Sequence, residues 1–399
     1  MAKKKTAEYD DVYNDLTKNH GGVMLTDVGN TKYFIDTGNL ALNYINSGRF
    51  IGGGIPGGKI TEIYGPPAAS KSLVGMSVLH GVQQLNGYAI YLDCEHATNR
   101  DFAVAAGHVD PTKLIVFEPE TLEQSFLKIY NVIRKIREKK GPEVPICFIY
   151  DSIGASPCER EFRETDLPEN YKKTEFKSIV GGNEQPGERA KICSKEFRKL
   201  TSVLDKNNAS LFVVNQVRQK IGVLFGSPET TAGGGEALKF YASCRIRVSP
   251  HKIIENTDLE IPIGVNIKVQ NKKCRSFSPH WETEGVQLYF DSGINPLGGL
   301  LGIFLKSKRI KSTGSAGMFQ VEEPYADGKT ITFRSSKVRN DVPVELLLDC
   351  PAIVDAKSKD EVEKYLSAFG DAIDLTNSDS VEETEITAED LEKKIGSSS

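Results

Sequence analysis

From residue 60 onward, short apolar runs alternate with longer stretches whose apolar residues recur at helical spacing. The pattern predicts strands over 60–64, 88–93, 114–117, 145–150 and 210–214, and helices over 71–85, 120–137 and 188–205. Within 120–137, Leu122, Phe126, Ile129, Ile133 and Ile136 step by four, three, four and three, which draws one apolar stripe along a helix. The runs "ICFIY" and "LFVV" are apolar throughout, as expected of strands covered by helices on both sheet faces. This alternation predicts an α/β fold with a largely parallel sheet. After 240, "ASCRIRVS", "PIGVNIKVQ" and "GVQLYF" read as strands without long helices between them, antiparallel additions at the sheet edge. Residues 8–19 form a short polar helix with too few apolar positions to bury alone, and glycine-rich "GRFIGGGIPGGK" (48–59) leads into the first strand. The expected boundaries fall near 45, 292 and 370: an N-terminal helix and linker (1–45), a core (46–292), a small mixed C-terminal domain (293–370) and a tail (371–399).

Composition changes this picture little. The chain has 399 residues, 39% hydrophobic and 26% charged, an ordinary globular balance. It has no apolar run long enough to span a membrane, and "MAKKKTAEYDD" lacks the apolar segment of a secretory signal. Seven cysteines stand singly, with no CxxC, which suits reduced thiols in a reducing cytoplasm. The six histidines do not pair with cysteines or carboxylates at ligand spacing, so the only metal expected is one brought by a nucleotide. Charge is uneven along the chain. The tail from Asp371 to Ser399 carries −7 of a net −4, which leaves the body at +3; the tail reads as solvated and disordered.

The candidate chemistry starts at "GPPAASKSL", Gly65, Pro66, Pro67, Ala68, Ala69, Ser70, Lys71, Ser72 and Leu73. This is a phosphate-binding loop pattern with Ser70 in place of the second glycine, set between a predicted strand and a predicted helix. Backbone amides and the helix N-terminus would face an anion there. Lys71 would reach the β- and γ-phosphates of a nucleotide, and the Ser72 hydroxyl would help hold Mg2+. Three other apolar strands deliver polar residues at their carboxyl ends, where open α/β sheets bind ligands: Glu95, Asp151 and Gln216. Asp151 suits the magnesium, Glu95 an attacking water, and Gln216 the sensing of a γ-phosphate.

Three segments, "YLDCEHATNRDFAVAAGHVD", "NQVRQKIGVLFGSPETTAGGGEALKFYAS" and "DSGINPLGGL", closely resemble the RecA-type recombinases, in the same order and over roughly residues 35–300. The Ser70 loop and a lengthened insert at 157–186 resemble phage-type members of the UvsX kind. The resemblance implies a RecA-like P-loop NTPase core with a small α+β C-terminal domain, and a short N-terminal helical segment for filament assembly, in which helix 8–19 and "FIDTGNLALNYI" (34–45) dock on the next protomer's sheet. It implies an ATP- and Mg2+-dependent filament on single-stranded DNA that pairs with homologous double-stranded DNA and exchanges strands, a DNA-dependent ATPase. Single-strand-binding and mediator proteins are the expected partners, and a bacterial cytoplasm the expected place.

Carried over by motif, Glu95 corresponds to the catalytic glutamate, and Asn99 and Phe102 to adenine contacts where the family usually has Asp and Tyr. Residues 217–239 correspond to a DNA-binding loop that is disordered until bound, with Arg218, Ile221, Phe225, Glu229, Gly233, Gly234 and Gly235 at its contact positions. A first DNA loop lies within "SIVGGNEQPG" (178–187). The following helix sets Lys191, Lys195 and Arg198, with Ser194 beside them, in one cationic stripe, with Ile192, Leu200 and Leu204 turned to the sheet. Lys272 and Lys273 correspond to lysines that reach the neighbouring subunit's ATP, with Asn271 where the family's first lysine stands. The acidic tail could then act as a competitor for the DNA site. Two other readings stay open at this point: a ring-forming RecA-core helicase or motor, and an ATP-binding DNA filament scaffold with little hydrolysis.

Overall fold

The computed structural model describes residues 2–22, 31–97, 100–159, 187–219, 229–231, 234–256, 258, 261–278, 281–335, 342–369, 381–385 and 387. The chain divides into two compact units, Met1–Lys32 and Tyr33–Ser399. The first contains helix α1 (Ala2–Asn19), whose apolar residues Val12, Tyr13 and Leu16 are exposed.

The second unit opens with β1 (Phe34–Ile35), α2 (Leu40–Ser47) and β2 (Ile55–Pro56). Next come β3 (Ile60–Gly65), α3 (Lys71–Gln84), β4 (Tyr88–Asp93), α4 (Arg100–Ala105) and β5 (Leu114–Phe117). They are followed by α5 (Leu122–Lys140), β6 (Ile146–Asp151), α6 (Glu188–Lys206), β7 (Ala209–Gln219), β8 (Glu229–Thr231) and α7 (Gly235–Tyr241). Long strands β9 (Cys244–Asn256), β10 (Ile261–Cys274) and β11 (Glu282–Tyr289) lead to β12 (Gly293–Ile294) and α8 (Leu300–Lys306). The remainder is β13 (Ile310–Ser312), β14 (Met318–Val321), β15 (Thr332–Arg334), α9 (Val344–Asp349), α10 (Lys359–Leu366) and β16 (Val381–Glu385).

The main sheet runs β12-β11-β10-β9-β3-β7-β6-β4-β5. Its central pairs, β9 to β3, β3 to β7, β7 to β6, β6 to β4 and β4 to β5, are parallel. Strands β10, β11 and β12 add on antiparallel, as the texture after residue 240 predicts. Each sheet face carries its own apolar layer. On one face α5 and α6 supply Phe126, Ile129, Phe197 and Leu200; on the other α2 and α3 supply Leu42, Ile45, Val78 and Leu79. The α5 stripe is buried at all five predicted positions, and Thr121 caps the helix by accepting from the amide of Gln124. No helix of the described residues is long and apolar enough to cross a membrane.

Three sequence expectations change. All eight residues of α2 are buried, although the boundary near 45 left most of them in a linker. Asn39 explains this: its Oδ1 caps α2 at Leu42, and its Nδ2 donates to the carbonyls of Asn295 (2.7 Å) and Gly298 (2.9 Å). Asn43 likewise donates to Asp36 and to the carbonyl of Phe50. The polar composition that looked like a linker is therefore a hydrogen-bonded interior. The segment 293–370 does not pack separately: Phe304, Leu347, Ile353 and Val362 join the α2/α3 layer, and the Tyr365 hydroxyl donates to Asp36 at 3.2 Å. Within the tail read as disordered, residues 381–385 form β16 and pair antiparallel with the far half of β9.

Candidate nucleotide and nucleic-acid site

The sheet order brings the candidate residues together. Gly65 at the end of β3 is level with Gln216 on β7, and Asp93 on β4 is level with Asp151 on β6. The carboxyl ends of these neighbouring strands form one rim, and Glu95 stands two residues past β4. Gly65 admits no side chain: a Cβ there would lie 2.1 Å from the carbonyl oxygen of Val248 on β9. The loop then turns through Ala68 and Ser70, both left-handed at φ 54° and 51°, before α3 begins at Lys71. Ser70 thus takes the conformation glycine favours, and its side chain makes no capping bond. Pro66 and Pro67 flank the turn, Ala69 and Leu73 pack into the core, and Ser72 is half-buried.

Lys71 is buried, and its Nζ donates to the carbonyl of Pro66 at 2.6 Å. Burial pulls its ammonium down to about 8, against the opposing pull of Asp151 and Glu95. Asp151 is also buried, accepting from the Tyr91 hydroxyl at 2.6 Å and from Ser72. Desolvation raises its carboxyl above the usual range, while the hydrogen bonds from Ser72 and Tyr91 oppose the shift and Glu95 adds to it. A buried, undercompensated carboxylate bonded to a hydroxyl at the rim of a phosphate loop fits a divalent cation, and Ser72 and Asp151 are the residues that would hold it. Glu95 is exposed at the rim. Its Oε1 accepts from the Ser152 hydroxyl and from Gln216 Nε2 (3.3 Å), and its amide donates to Asp93 Oδ1 at 3.2 Å.

Behind Gln216 lies a buried polar chain that strand-end reasoning missed. The Gln216 amide donates to Asn215 Oδ1 (3.0 Å), and Asn215 Nδ2 donates to Glu62 Oε1 (2.9 Å). Arg245 Nε on β9 donates to Glu62 Oε2 (2.5 Å), with its guanidinium 4.6 Å from the centre of the Tyr64 ring. Glu62 and Asn215 are fully buried. A carboxylate inside the otherwise apolar "ITEIY" was the available signal, because a buried charge requires a partner.

On the nucleic-acid side, β7 runs to Gln219 instead of ending near 214, and pairs with β8: Val217 opposite Thr231, Arg218 opposite Thr230, Gln219 opposite Glu229. The described parts of 217–239 are therefore a ribbon followed by a helix, and not the disordered loop expected. Arg218 is exposed, two residues along the strand from Gln216. Gly234 is left-handed at φ 74° and Gly235 opens α7. Ile221, Phe225 and Gly233 lie outside the described residues, as do Asn99 and the loop within 178–187 up to residue 186. Phe102 is on α4 and 36% exposed.

On α6, Lys191, Ser194, Lys195 and Arg198 are exposed. The buried face is Cys193, Phe197, Leu200 and Leu204; Ile192, expected to point inward, is only half-buried. Helix α6 packs against α7.

The lysines of β10 separate. Lys272 is exposed, whereas Lys273 donates to the carbonyls of Lys239 (2.7 Å) and Phe240 (2.9 Å) at the end of α7. Burial lowers the Lys273 ammonium, and Arg275 and Arg245 reinforce the shift. Asn271 is buried and donates to the carbonyl of Ile45 and to Asn46 Oδ1.

The family model described as the RecA N-terminal domain matches residues 11–163 and 168–295. The protein RecA of Thermus aquaticus is 32% identical over 267 residues, 66% of this chain and 70% of its own length. That of Trichodesmium erythraeum is 29% identical over 343 residues, 84% and 86% of the two chains. That of Geobacter metallireducens is 35% identical over 263 residues, 66% and 70%. The chain therefore belongs to the RecA family of ATP-dependent homologous recombinases.

Proposed function

We propose that the rim formed by Gly65–Leu73, Glu95, Asp151 and Gln216 is where this recombinase hydrolyses ATP, and that it couples hydrolysis to DNA through β7. One observation carries the reading: the carboxylate suited to activate water, Glu95, accepts a hydrogen bond from Gln216, and Gln216 is on the strand that continues into the candidate DNA segment.

In this reading Lys71 leaves the Pro66 carbonyl to meet the terminal phosphates, and the loop amides hold the rest of the triphosphate. Ser72 and Asp151 would hold magnesium, which when bound would neutralise phosphate charge. Glu95 receives a proton from the attacking water, and Ser152 orients that carboxylate. Gln216 either bonds Glu95, as here, or turns to the γ-phosphate. Each choice shifts β7 and with it Arg218 and the ribbon to β8. Phe102, with Asn99, faces the adenine.

Lys191, Ser194 and Arg198, together with Arg218, Ile221 and Gly233–Gly235, contact the DNA backbone, and with Phe225 and Glu229, assigned to the loop tip, they hold single-stranded DNA for pairing with a duplex. The ring helicase is disfavoured by family membership, and the inactive scaffold by the complete set of Lys71, Glu95, Asp151 and Gln216. Lys272 is the lysine offered to the neighbouring subunit's ATP, since Lys273 is engaged with α7 and Asn271 with the core. The exposed apolar residues of α1 suit docking on the next protomer of a helical filament. The Ser70 loop supports a phage-type recombinase working in a bacterial cytoplasm with single-strand-binding and mediator proteins, and the tail is a candidate competitor for DNA.

Phosphate release measured with and without single-stranded DNA tests the core of this. Lys71→Ala should abolish DNA-stimulated hydrolysis. Glu95→Gln should keep nucleotide and DNA binding yet slow turnover by about two to four orders of magnitude. Undiminished turnover in either variant would remove that residue from the mechanism.

A further inference from the structure

Cys244 on β9 and Cys274 on β10 stand directly opposite each other in the antiparallel ladder. The amide of Arg275 donates to the carbonyl of Ser243 at 3.0 Å, one residue beyond the pair on one strand and one before it on the other. That bond brackets the cysteines, so they occupy a non-hydrogen-bonded pair, the kind whose facing Cα atoms approach to about 4.5 Å. A disulfide requires Cα atoms about 4.4–6.8 Å apart with side chains on one face, and this position supplies both.

Both thiols are free and face each other across the ladder. They also share a neighbour: Cys244 Sγ is 3.3 Å from Asn46 Oδ1, and Cys274 Sγ is 3.2 Å from the Asn46 carbonyl.

We propose that Cys244 and Cys274 are a redox-active pair that closes to a cross-strand disulfide on meeting a peroxide. The half-buried Cys274 sulfur attacks one oxygen of hydrogen peroxide. An S–O bond forms, the O–O bond breaks, and the departing hydroxide takes up a proton as water. Cys244 then attacks the sulfenic sulfur: the S–S bond forms, the S–O bond breaks, and the second hydroxide leaves as water with the Cys244 proton. Two thiols and one peroxide become one disulfide and two waters, and a thiol reductant reverses the change.

The roles follow from the surroundings. The neighbouring Cys244, with the amides of Ser276 and Phe277, lowers the Cys274 thiol against the effect of burial. The same neighbour and full burial raise the Cys244 thiol, so it acts second, giving up its proton only as the S–S bond forms. Elsewhere burial pushes Cys94 up to about 11 and Cys193 up to about 12, which leaves them poor nucleophiles. The bond would tie the start of β9, three residues after α7 ends, to the strand carrying Lys272 and Lys273. The chemistry is independent of the nucleotide reading.

The full-length protein, treated with hydrogen peroxide, alkylated, digested and analysed by mass spectrometry, should yield a peptide joining Cys244 to Cys274. Its mass should be short by two hydrogens and be restored by dithiothreitol, with Cys94 and Cys193 still alkylated. Cys244→Ser should leave a sulfenic acid on Cys274 that dimedone captures, and Cys274→Ser should leave Cys244 unoxidised. A wild-type digest in which Cys274 oxidises further without the cross-link overturns the proposal. So does oxidation of Cys94 or Cys193 ahead of the pair. The wild-type map decides the matter even if a serine variant fails to fold.

Discussion

Replacing Ser70 by glycine should make the nucleotide-free protein more stable, contrary to the usual effect of adding glycine. Ser70 sits at φ 51° and ψ 31°, inside the left-handed region. A side chain there costs about 1–2 kcal/mol relative to glycine. Glycine in turn gives the unfolded chain extra freedom worth about 0.5–1 kcal/mol. The Ser70 side chain makes no capping bond that would be lost. The difference is a gain of about 0.5–1 kcal/mol, or about 1–3 °C in the melting midpoint of a unit this large. Ser70→Ala keeps the Cβ and should leave the midpoint unchanged, and Ala68→Gly, at φ 54°, should gain in the same direction. Calorimetric melts of the three variants without nucleotide, at matched concentration, measure this. A midpoint for Ser70→Gly at or below wild type would refute the reasoning. An equal loss in Ser70→Ala would show that the hydroxyl, and not the backbone, decides.

Asn215→Ala should leave Glu62 Oε1 and the Gln216 amide unpartnered, at about 1–3 kcal/mol of stability. It should lower DNA-stimulated hydrolysis more than ATP affinity; parallel losses in denaturant melts and nucleotide titrations alone would assign Asn215 a purely structural role. The Lys71 ammonium, pulled down to about 8 in the folded state and near 10.5 when unfolded, contributes stability that is present above pH 10.5 and lost as pH falls through 8. Phosphates beside it raise its proton affinity, so ATP binding at pH 8.5 should take up protons. Titration calorimetry in buffers of different ionisation enthalpy measures the uptake, and a zero difference would contradict it.

Much of the frame was legible in the sequence because it follows from periodicity. The α5 stripe and the wholly apolar runs "ICFIY" and "LFVV" have one physical solution, burial under helices on both sheet faces, and that solution puts Glu95, Asp151 and Gln216 on one rim. What stayed hidden was polar. Asn39 and Asn43 look like linker residues until their partners at positions 36, 50, 295 and 298 are known. Glu62 looks like a solvent-facing strand residue until Arg245, 183 positions later, is beside it. The run Gln216–Gln219 has no apolar alternation, so its continuation as a strand depends on β8, which carries no apolar pattern either. Lys273 gives no sign in the sequence that it serves α7 and not a neighbouring subunit.

The hydrogen bonds around α2 bear on how the chain is made. Asn39 waits for carbonyls 256 and 259 positions away, and Asp36 for a tyrosine hydroxyl 329 positions away. A ribosome releases the first of these groups long before their partners exist, so the layer beneath α2 closes only when nearly the whole polypeptide has emerged. Until then its asparagines and aspartate are solvated by water, and the nascent recombinase is most open to chaperones and proteases along the edge it builds first.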